Sequence, residues 1–128
     1  NNYPYMVVDN EAGMEHISRG VLPTMQTAIL VSDCSRRGIQ AVGRIKKLIE
    51  ECDMHPQQIG LIVNRAPEGK LNDGTKEEIE RQGLTLFGVV PQDQEVYEYD
   101  CDGKPMTELP ENAAVKTALY KILDSISL

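Results

Sequence analysis

The chain has 128 residues, of which 41% are hydrophobic and 26% charged, and its formal net charge at pH 7 is -7. This composition is ordinary for a soluble globular protein, and the acidic balance argues against nucleic acid as a direct partner, because phosphate contacts need a basic surface. The apolar runs are too short to cross a bilayer, and three widely spaced cysteines without a C-x-x-C pair favour a reducing cytoplasm over a disulfide framework.

Four near-continuous apolar runs predict four short β-strands. Runs of this kind, without polar alternation, are typical of strands covered on both faces, as in a parallel sheet. The predicted strands span residues 5–8, 27–31, 59–63 and 84–90.

Apolar residues at helical spacing predict α-helices after the second and third strands. One such pattern runs from residue 36 to 52, with Ser35 as a plausible N-cap. A shorter helix is predicted at residues 76–82, where Gly83 provides a stop signal.

The last third of the chain predicts a loop followed by a final helix. Residues 91–109 are polar, contain Pro and Gly, and are predicted to be a loop. An apolar stripe after Pro110 predicts a helix with this proline in its first turn. The alternation of strands and helices predicts one α/β domain over residues 1–128, with right-handed crossovers.

Polar residues follow each predicted strand. The carboxyl ends of parallel strands share one edge, and open α/β folds bind ligands in the crevice along that edge. The pattern therefore predicts a ligand site there, although polar loops alone would produce the same signal. The residues are Asp9 after the first strand, Asp33 and Ser35 after the second, Asn64 and Arg65 after the third, and Pro91 and Asp93 after the fourth.

The first of these strand ends has the features of a phosphate site. A carboxylate at a strand tip, here Asp9, can hold a magnesium ion beside nucleotide phosphates, often through water. Gly13 lets the backbone approach a phosphate without a Cβ in the way. On spacing alone, a capping or turn role for Asp9 is an equal alternative.

The segment DNEAGMEH, residues 9–16, resembles the second phosphate-proximal motif of the deviant-Walker, MinD/ParA-like P-loop ATPases. Its DxxAG part is general to that superfamily. The continuation Met14-Glu15-His16 more narrowly resembles the CooC-type accessory ATPases that insert nickel into carbon monoxide dehydrogenase. The later stretches SDCSRRGIQAVGRI, LIVNR and GVVPQDQEV agree with the same family in the same order.

The resemblance implies a three-layer parallel-sheet, Rossmann-like fold that binds ATP or ADP with Mg²⁺. Asp9 would assist the magnesium ion and Gly13 would meet the γ-phosphate, so both would serve catalysis. Glu11 would lie with them in the nucleotide site.

The resemblance also implies an adenine pocket. Asn64 would recognise the base, because a side-chain amide offers a donor and an acceptor together, and Arg65 would adjoin it. Pro91, Gln92 and Asp93 would wrap the other side of the base, largely through backbone atoms.

The phosphate-loop motif of that family, G-x-x-x-x-G-K-[ST], does not occur between Asn1 and Leu128. We therefore expect the chain to be the carboxyl-terminal part of an incomplete ATPase domain that does not hydrolyse ATP alone. The intact protein would be a cytoplasmic homodimer with carbon monoxide dehydrogenase as its client, and nickel would bind residues outside this chain.

Two alternatives differ in class. A partition or division-site ATPase would need a basic surface or a membrane tail, yet the last predicted helix carries only Lys116 and Lys121 as cations. A non-catalytic interaction module would fold alone and bind a partner without nucleotide.

Overall fold

The computed structural model describes Val7 and residues 25–52 and 54–126. Val7 is exposed and lies in no strand; the rest of the strand predicted at residues 5–8 lies outside the described residues. The same holds for Asp9, Glu11 and Gly13, so their roles stay predictions.

The described residues form a parallel sheet flanked by helices, which confirms the predicted α/β class. The sheet has three strands in the order β1-β2-β3, and both pairings are parallel. In chain order the elements are β1 (Thr27–Ser32), α1 (Arg36–Glu51), β2 (Gln58–Ala66), α2 (Asp73–Arg81), β3 (Leu86–Pro91), α3 (Gln94–Cys101) and α4 (Ala114–Ser125), with 3-10 turns at Pro67–Gly69 and Met106–Glu108.

Helices cover both faces of β2, which gives the three-layer arrangement. Leu61 and Val63 pack in one apolar cluster with Ile39 of α1, whereas Ile62 points to the opposite face and packs with Ile122 of α4. Successive side chains of a strand alternate between faces, so a strand buried on both sides needs an uninterrupted apolar run. The sequence of β2 meets that requirement.

Among the described residues, strand β1 is covered on one face. Ala28 and Leu30 are buried in the cluster that contains α1, whereas Ile29 and Val31 are 40% and 59% exposed. The prediction of two covered faces is therefore wrong for β1 within the part of the chain that the structure describes.

Hydrogen bonds at the helix starts explain where α1 and α2 begin. The Ser35 side chain accepts from the Gly38 N–H at 3.0 Å, which confirms the predicted N-cap of α1. Helix α2 begins at Asp73, three residues before the prediction, because the Asn72 side chain caps it by accepting from the Thr75 N–H at 2.8 Å.

The loop predicted at residues 91–109 is wrong in part, because it contains α3 and a 3-10 turn. The Asp93 carboxylate caps α3 by accepting from the Glu95 N–H at 2.9 Å. No residue of α3 is buried, so the helix needs no apolar stripe. Its sequence shows none, and apolar spacing could not have predicted it.

The start of the final helix is also corrected. Helix α4 begins at Ala114, so Pro110 is not in its first turn. The Ala113 N–H instead donates to the Pro110 carbonyl at 3.0 Å and closes a separate turn before the helix.

Candidate functional site

The carboxyl ends of β1 and β2 form an open cleft of about 220 Å³. Ser32 pairs with Val63 across these strands, so Asp33 and Asn64 come next on neighbouring strands. The parallel topology thus brings together two of the predicted strand-end groups. The cleft is lined by Val31, Ser32, Asp33, Asn64 and Arg65.

Asp33 forms one wall of the cleft and is held by the start of α1. Its Oδ1 accepts from the Ser35 N–H at 2.9 Å and from the Ser35 hydroxyl at 2.6 Å. The hydroxyl bond and then the backbone bond from Ser35 lower the pKa of the Asp33 carboxyl, against an opposing effect of burial, and the positive charge of Arg65 adds the smallest lowering. Asp33 is therefore an ionised carboxylate at neutral pH.

Gly38 allows this close approach of helix and strand end. A Cβ at this position would collide with the Ser32 Oγ and the Asp33 Oδ1. The first turn of α1 therefore lies directly against the cleft, and the Asp33 carboxylate depends on a residue without a side chain.

Asn64 and Arg65 form the opposite wall, at an irregularity of β2. Val63 pairs with Val89 and Ala66 with Pro91, so β2 contains one more residue than β3 across this interval. The strand thus continues to Ala66 through a bulge, and the prediction that Asn64 and Arg65 follow the strand is corrected. Bulges turn side chains in new directions and occur often beside functional sites.

The bulge also determines how the Asn64 amide is oriented. The Asn64 Oδ1 accepts from the Arg65 N–H at 2.9 Å. Arg65 has φ 57°, in the left-handed region that costs a residue other than glycine about 1–2 kcal/mol. The structure around it maintains this strained conformation, which was not evident from the sequence.

The segment predicted to enclose the base begins at Pro91, which is the last residue of β3 and does not follow the strand as predicted. The Gln92 N–H donates to the Ala66 carbonyl at 2.8 Å, which continues the pairing of β2 with β3 past Pro91. The Asp93 Oδ1 takes the cap of α3, and its Oδ2 accepts from the Val115 N–H of α4 at 3.4 Å. Pro91 and Gln92 therefore lie beside Ala66 on the β3 side of β2, outside the lining of the cleft, and Asp93 anchors them to two helices.

Sequence reasoning missed Thr75, which joins α2 to the loop after β1. This side chain is 3% exposed, and its hydroxyl donates to the Cys34 carbonyl at 2.7 Å. The two residues are 41 positions apart, so no local pattern could indicate the contact. Asp33, by contrast, is one of the strand-end residues that the sequence predicts at the ligand site.

The described residues contain neither a cluster of metal ligands nor a membrane-spanning helix. Residues 25–52 and 54–126, with Val7, hold no group of three or more His, Cys, Asp or Glu side chains that could hold a metal ion. Across the same ranges no helix is long and apolar enough to span a membrane.

Comparison with known sequences gives no match to a protein-family model. The chain is 36% identical over 127 residues to an uncharacterized ATP-binding protein of Methanocaldococcus jannaschii. The aligned region covers 98% of this chain and 49% of that protein. A second uncharacterized ATP-binding protein of the same organism is 35% identical over 104 residues, or 79% of this chain and 38% of that protein. The septum site-determining protein MinD of Bacillus subtilis is 26% identical over 117 residues, 88% of this chain and 43% of that protein.

Solved structures show the same fold. A ParA family ATPase from Chlorobium tepidum superimposes with a TM-score of 0.66 and 20% identity, covering 88% of this chain and 45% of that one. The MinD cell division protein of Aquifex aeolicus gives a TM-score of 0.61 and 19% identity, covering 80% and 45%.

The parallel sheet with its flanking helices therefore matches part of the MinD/ParA-like P-loop NTPase fold. The homologues and the solved structures support the resemblance at the level of this superfamily. The chain spans about half the length of the curated relatives it matches, since the first of them is covered over 49% of its length.

Proposed function

We propose that the chain is the nucleotide-binding part of a MinD/ParA-like ATPase and that its cleft receives the nucleoside of ATP or ADP. One observation carries the proposal: the Asn64 Oδ1 accepts from the Arg65 N–H in the bulge of β2, and β2 pairs through Ala66 with Pro91 and Gln92. The name "ATP-binding" of the two Methanocaldococcus jannaschii relatives supports the same class of ligand here.

The chemistry of this wall fits adenine. The base presents a donor amine beside a ring acceptor, and the Asn64 amide offers an acceptor beside a donor. Because the Arg65 N–H already binds the Asn64 Oδ1, the amide is held in one orientation and need not be ordered when ligand enters. Arg65 adds a positive charge that suits the phosphate-bearing side of a nucleotide.

Hydrolysis is proposed for the intact ATPase and depends on residues beyond this cleft. Magnesium bound with the phosphates would neutralise their charge. We propose that Asp9, Glu11 and Gly13 contribute that part of the site, with Gly13 at the γ-phosphate.

Titration calorimetry with Mg²⁺-ATP, first on this chain and then on the protein extended upstream, tests the adenine pocket. We expect Asn64→Ala to weaken binding about tenfold or more, because a base donor and acceptor lose their partners. Asn112→Ala, at an exposed turn, is the matched control and should bind as wild type does. Equal affinity of wild type and Asn64→Ala would remove Asn64 from the site, and absence of adenine nucleotide binding by the extended protein would refute the proposal.

At a finer level, we propose that the ATPase is a CooC-type homodimer that loads nickel into carbon monoxide dehydrogenase. The support is the sequence of residues 9–16, in which Met14, Glu15 and His16 continue the DxxAG motif. Nickel would be cargo held by residues outside this chain. Deleting the gene should leave carbon monoxide dehydrogenase deficient in nickel, and a fully loaded dehydrogenase in the deletion strain would exclude this role.

A positioning ATPase of the MinD or ParA kind is the second candidate, because MinD proteins are among the sequence relatives. This function predicts that a fluorescent fusion of the protein concentrates at the division site or on the nucleoid. Blocking nucleotide binding should change that localisation. Uniform fluorescence, unchanged by Asn64→Ala, would count against it. A non-catalytic interaction module would bind its partner without nucleotide, which the same calorimetry distinguishes.

A further inference from the structure

We propose that Asp33 recognises the ribose of the bound nucleoside by accepting hydrogen bonds from its hydroxyl groups. This inference rests on the proposed function, because it takes the base to lie against Asn64 and the segment after β3. Asp33 is the one carboxylate among the residues that line the cleft, and the proposed adenine pocket gives it no role. The inference assigns it a contact with the ligand.

The order of the strands determines where the sugar falls. Pro91 and Gln92 lie at the end of β3, Asn64 at the end of β2, and Asp33 at the end of β1. Neighbouring strands are about 4.8 Å apart, so Asp33 is roughly one strand spacing beyond Asn64. A base held at the β2 and β3 ends therefore directs an attached sugar across the cleft to Asp33.

The carboxylate is fixed by one oxygen and offers the other. Oδ1 takes both bonds from Ser35, whereas Oδ2 takes none of the hydrogen bonds found among the described residues. An ionised carboxylate can only accept hydrogen bonds, so it fits hydroxyl donors and repels phosphate oxygens. Of the parts of a nucleotide, the ribose is the one that matches this position.

The loop that carries Asp33 is held in place by contacts within the protein. Thr75 ties the Cys34 carbonyl to α2, and Gly38 lets α1 pack against the carboxylate. A group that is already in place loses little conformational entropy on binding, so its hydrogen bonds contribute more to affinity and selectivity.

The experiment titrates the ¹⁵N-labelled chain with three nucleosides and follows its amide signals by NMR. The nucleosides are adenosine, 2′-deoxyadenosine and 3′-deoxyadenosine. Wild type should bind adenosine about tenfold more tightly than at least one deoxy analogue, a difference of about 1.4 kcal/mol. Asp33→Asn keeps an oxygen for Ser35 but replaces Oδ2 with a donor, so this preference should disappear while the binding of that analogue stays unchanged. Asp124→Asn, on the exposed side of α4, is the control and should keep the full preference.

The outcomes separate this inference from the proposed function. Equal binding of all three nucleosides by wild type overturns the ribose contact and leaves the adenine pocket standing. A uniform loss of affinity in Asp33→Asn shows that the residue only supports the fold, which also overturns the inference. If Mg²⁺ alone shifts the Asp33 signals and the nucleosides do not, the carboxylate is a cation ligand instead. If wild type binds neither adenosine nor Mg²⁺-ATP, the ribose contact falls together with nucleoside binding by this chain.

Discussion

Strands β1 and β2 have similar apolar sequences, pair with each other in parallel, and end at the same cleft, but they are buried differently. Helices cover both faces of β2, whereas in the part of the chain that the structure describes β1 is covered on one face and Ile29 and Val31 are exposed. A run of apolar residues therefore indicates that a strand can be buried on both sides, and the neighbouring elements decide whether it is.

The largest effect should come from leucines that share the covered face of both strands. Leu61→Ala in β2 and Leu30→Ala in β1 should each lower the free energy of unfolding by about 3 kcal/mol, because each leaves a cavity in the same cluster. Urea denaturation measures both. If Leu30→Ala cost less than about 1 kcal/mol, the covered face of β1 would not belong to the core, and the contrast with β2 would be greater than the structure indicates.

A pair of valines tests the other side of the comparison. Val63→Ala in β2 removes a side chain that is fully buried and should cost about 2 kcal/mol. Val31→Ala in β1, where the side chain is 59% exposed, should cost less than about 0.5 kcal/mol. Equal costs, measured by the same denaturation, would mean that something covers the second face of β1 in solution.

Gly38→Ala tests whether the carboxyl end of β1 is tightly packed against α1, in contrast to the exposed face of the same strand. Overpacking costs about 1–3 kcal/mol and the better helix propensity of Ala returns about 1, so a net loss of about 1 kcal/mol is expected. Mg²⁺-ATP affinity should fall as well, because the added Cβ displaces the Asp33 carboxylate.

Gly74→Ala in α2 is the matched control for this change. Its Cβ would meet the flexible end of Arg36 at 3.3 Å and the Asn72 Oδ1 at an ordinary contact distance of 3.6 Å, so it should be neutral or stabilising. If both alanine variants behaved alike, the close approach at Gly38 would have no consequence.

The smallest effect is a pH dependence confined to the β1 wall. The pKa of Asp33 is lower in the folded state than its ordinary value of 3.8. At any pH above that ordinary value, ionisation of this carboxyl therefore stabilises the fold. That contribution is lost as pH falls through the lower, folded pKa. The difference in Tm between wild type and Asp33→Asn should therefore be constant above about pH 5 and shrink below about pH 4.

Ser35→Ala provides the check on this titration, because it removes the hydroxyl bond that contributes most to the shift. In that background the pH-dependent part of the Asp33→Asn difference should be smaller, although the backbone bond from residue 35 remains. A Tm difference that grew in acid would have the wrong sign for a lowered pKa and would contradict the assigned hydrogen bonds.

Patterns that act over a few residues were predictable from the sequence. The strands at residues 27–31 and 59–63 follow from apolar runs, and the Ser35 cap follows from side-chain chemistry. The meeting of Asp33 with Asn64 followed from a topological rule, since the ends of parallel strands share an edge.

Features that depend on pairing between distant segments were not predictable. The bulge at Asn64 and Arg65 exists only relative to β3, because an extra residue is defined by the strand opposite it. Helix α3 carries no apolar stripe, and its cap at Asp93 is one polar residue among many in that segment. The open face of β1 depends on the absence of a covering helix among the described elements, which no property of β1 itself reports.

The hydrogen bond from Thr75 to Cys34 has a mechanical consequence. It braces the loop after β1 to a helix that follows β2, so the two walls of the cleft are connected outside the sheet as well as within it. Separating the two walls of the cleft would break this buried hydrogen bond together with the pairing of β1 and β2. We therefore expect the backbone of the two walls to keep its position when a ligand binds.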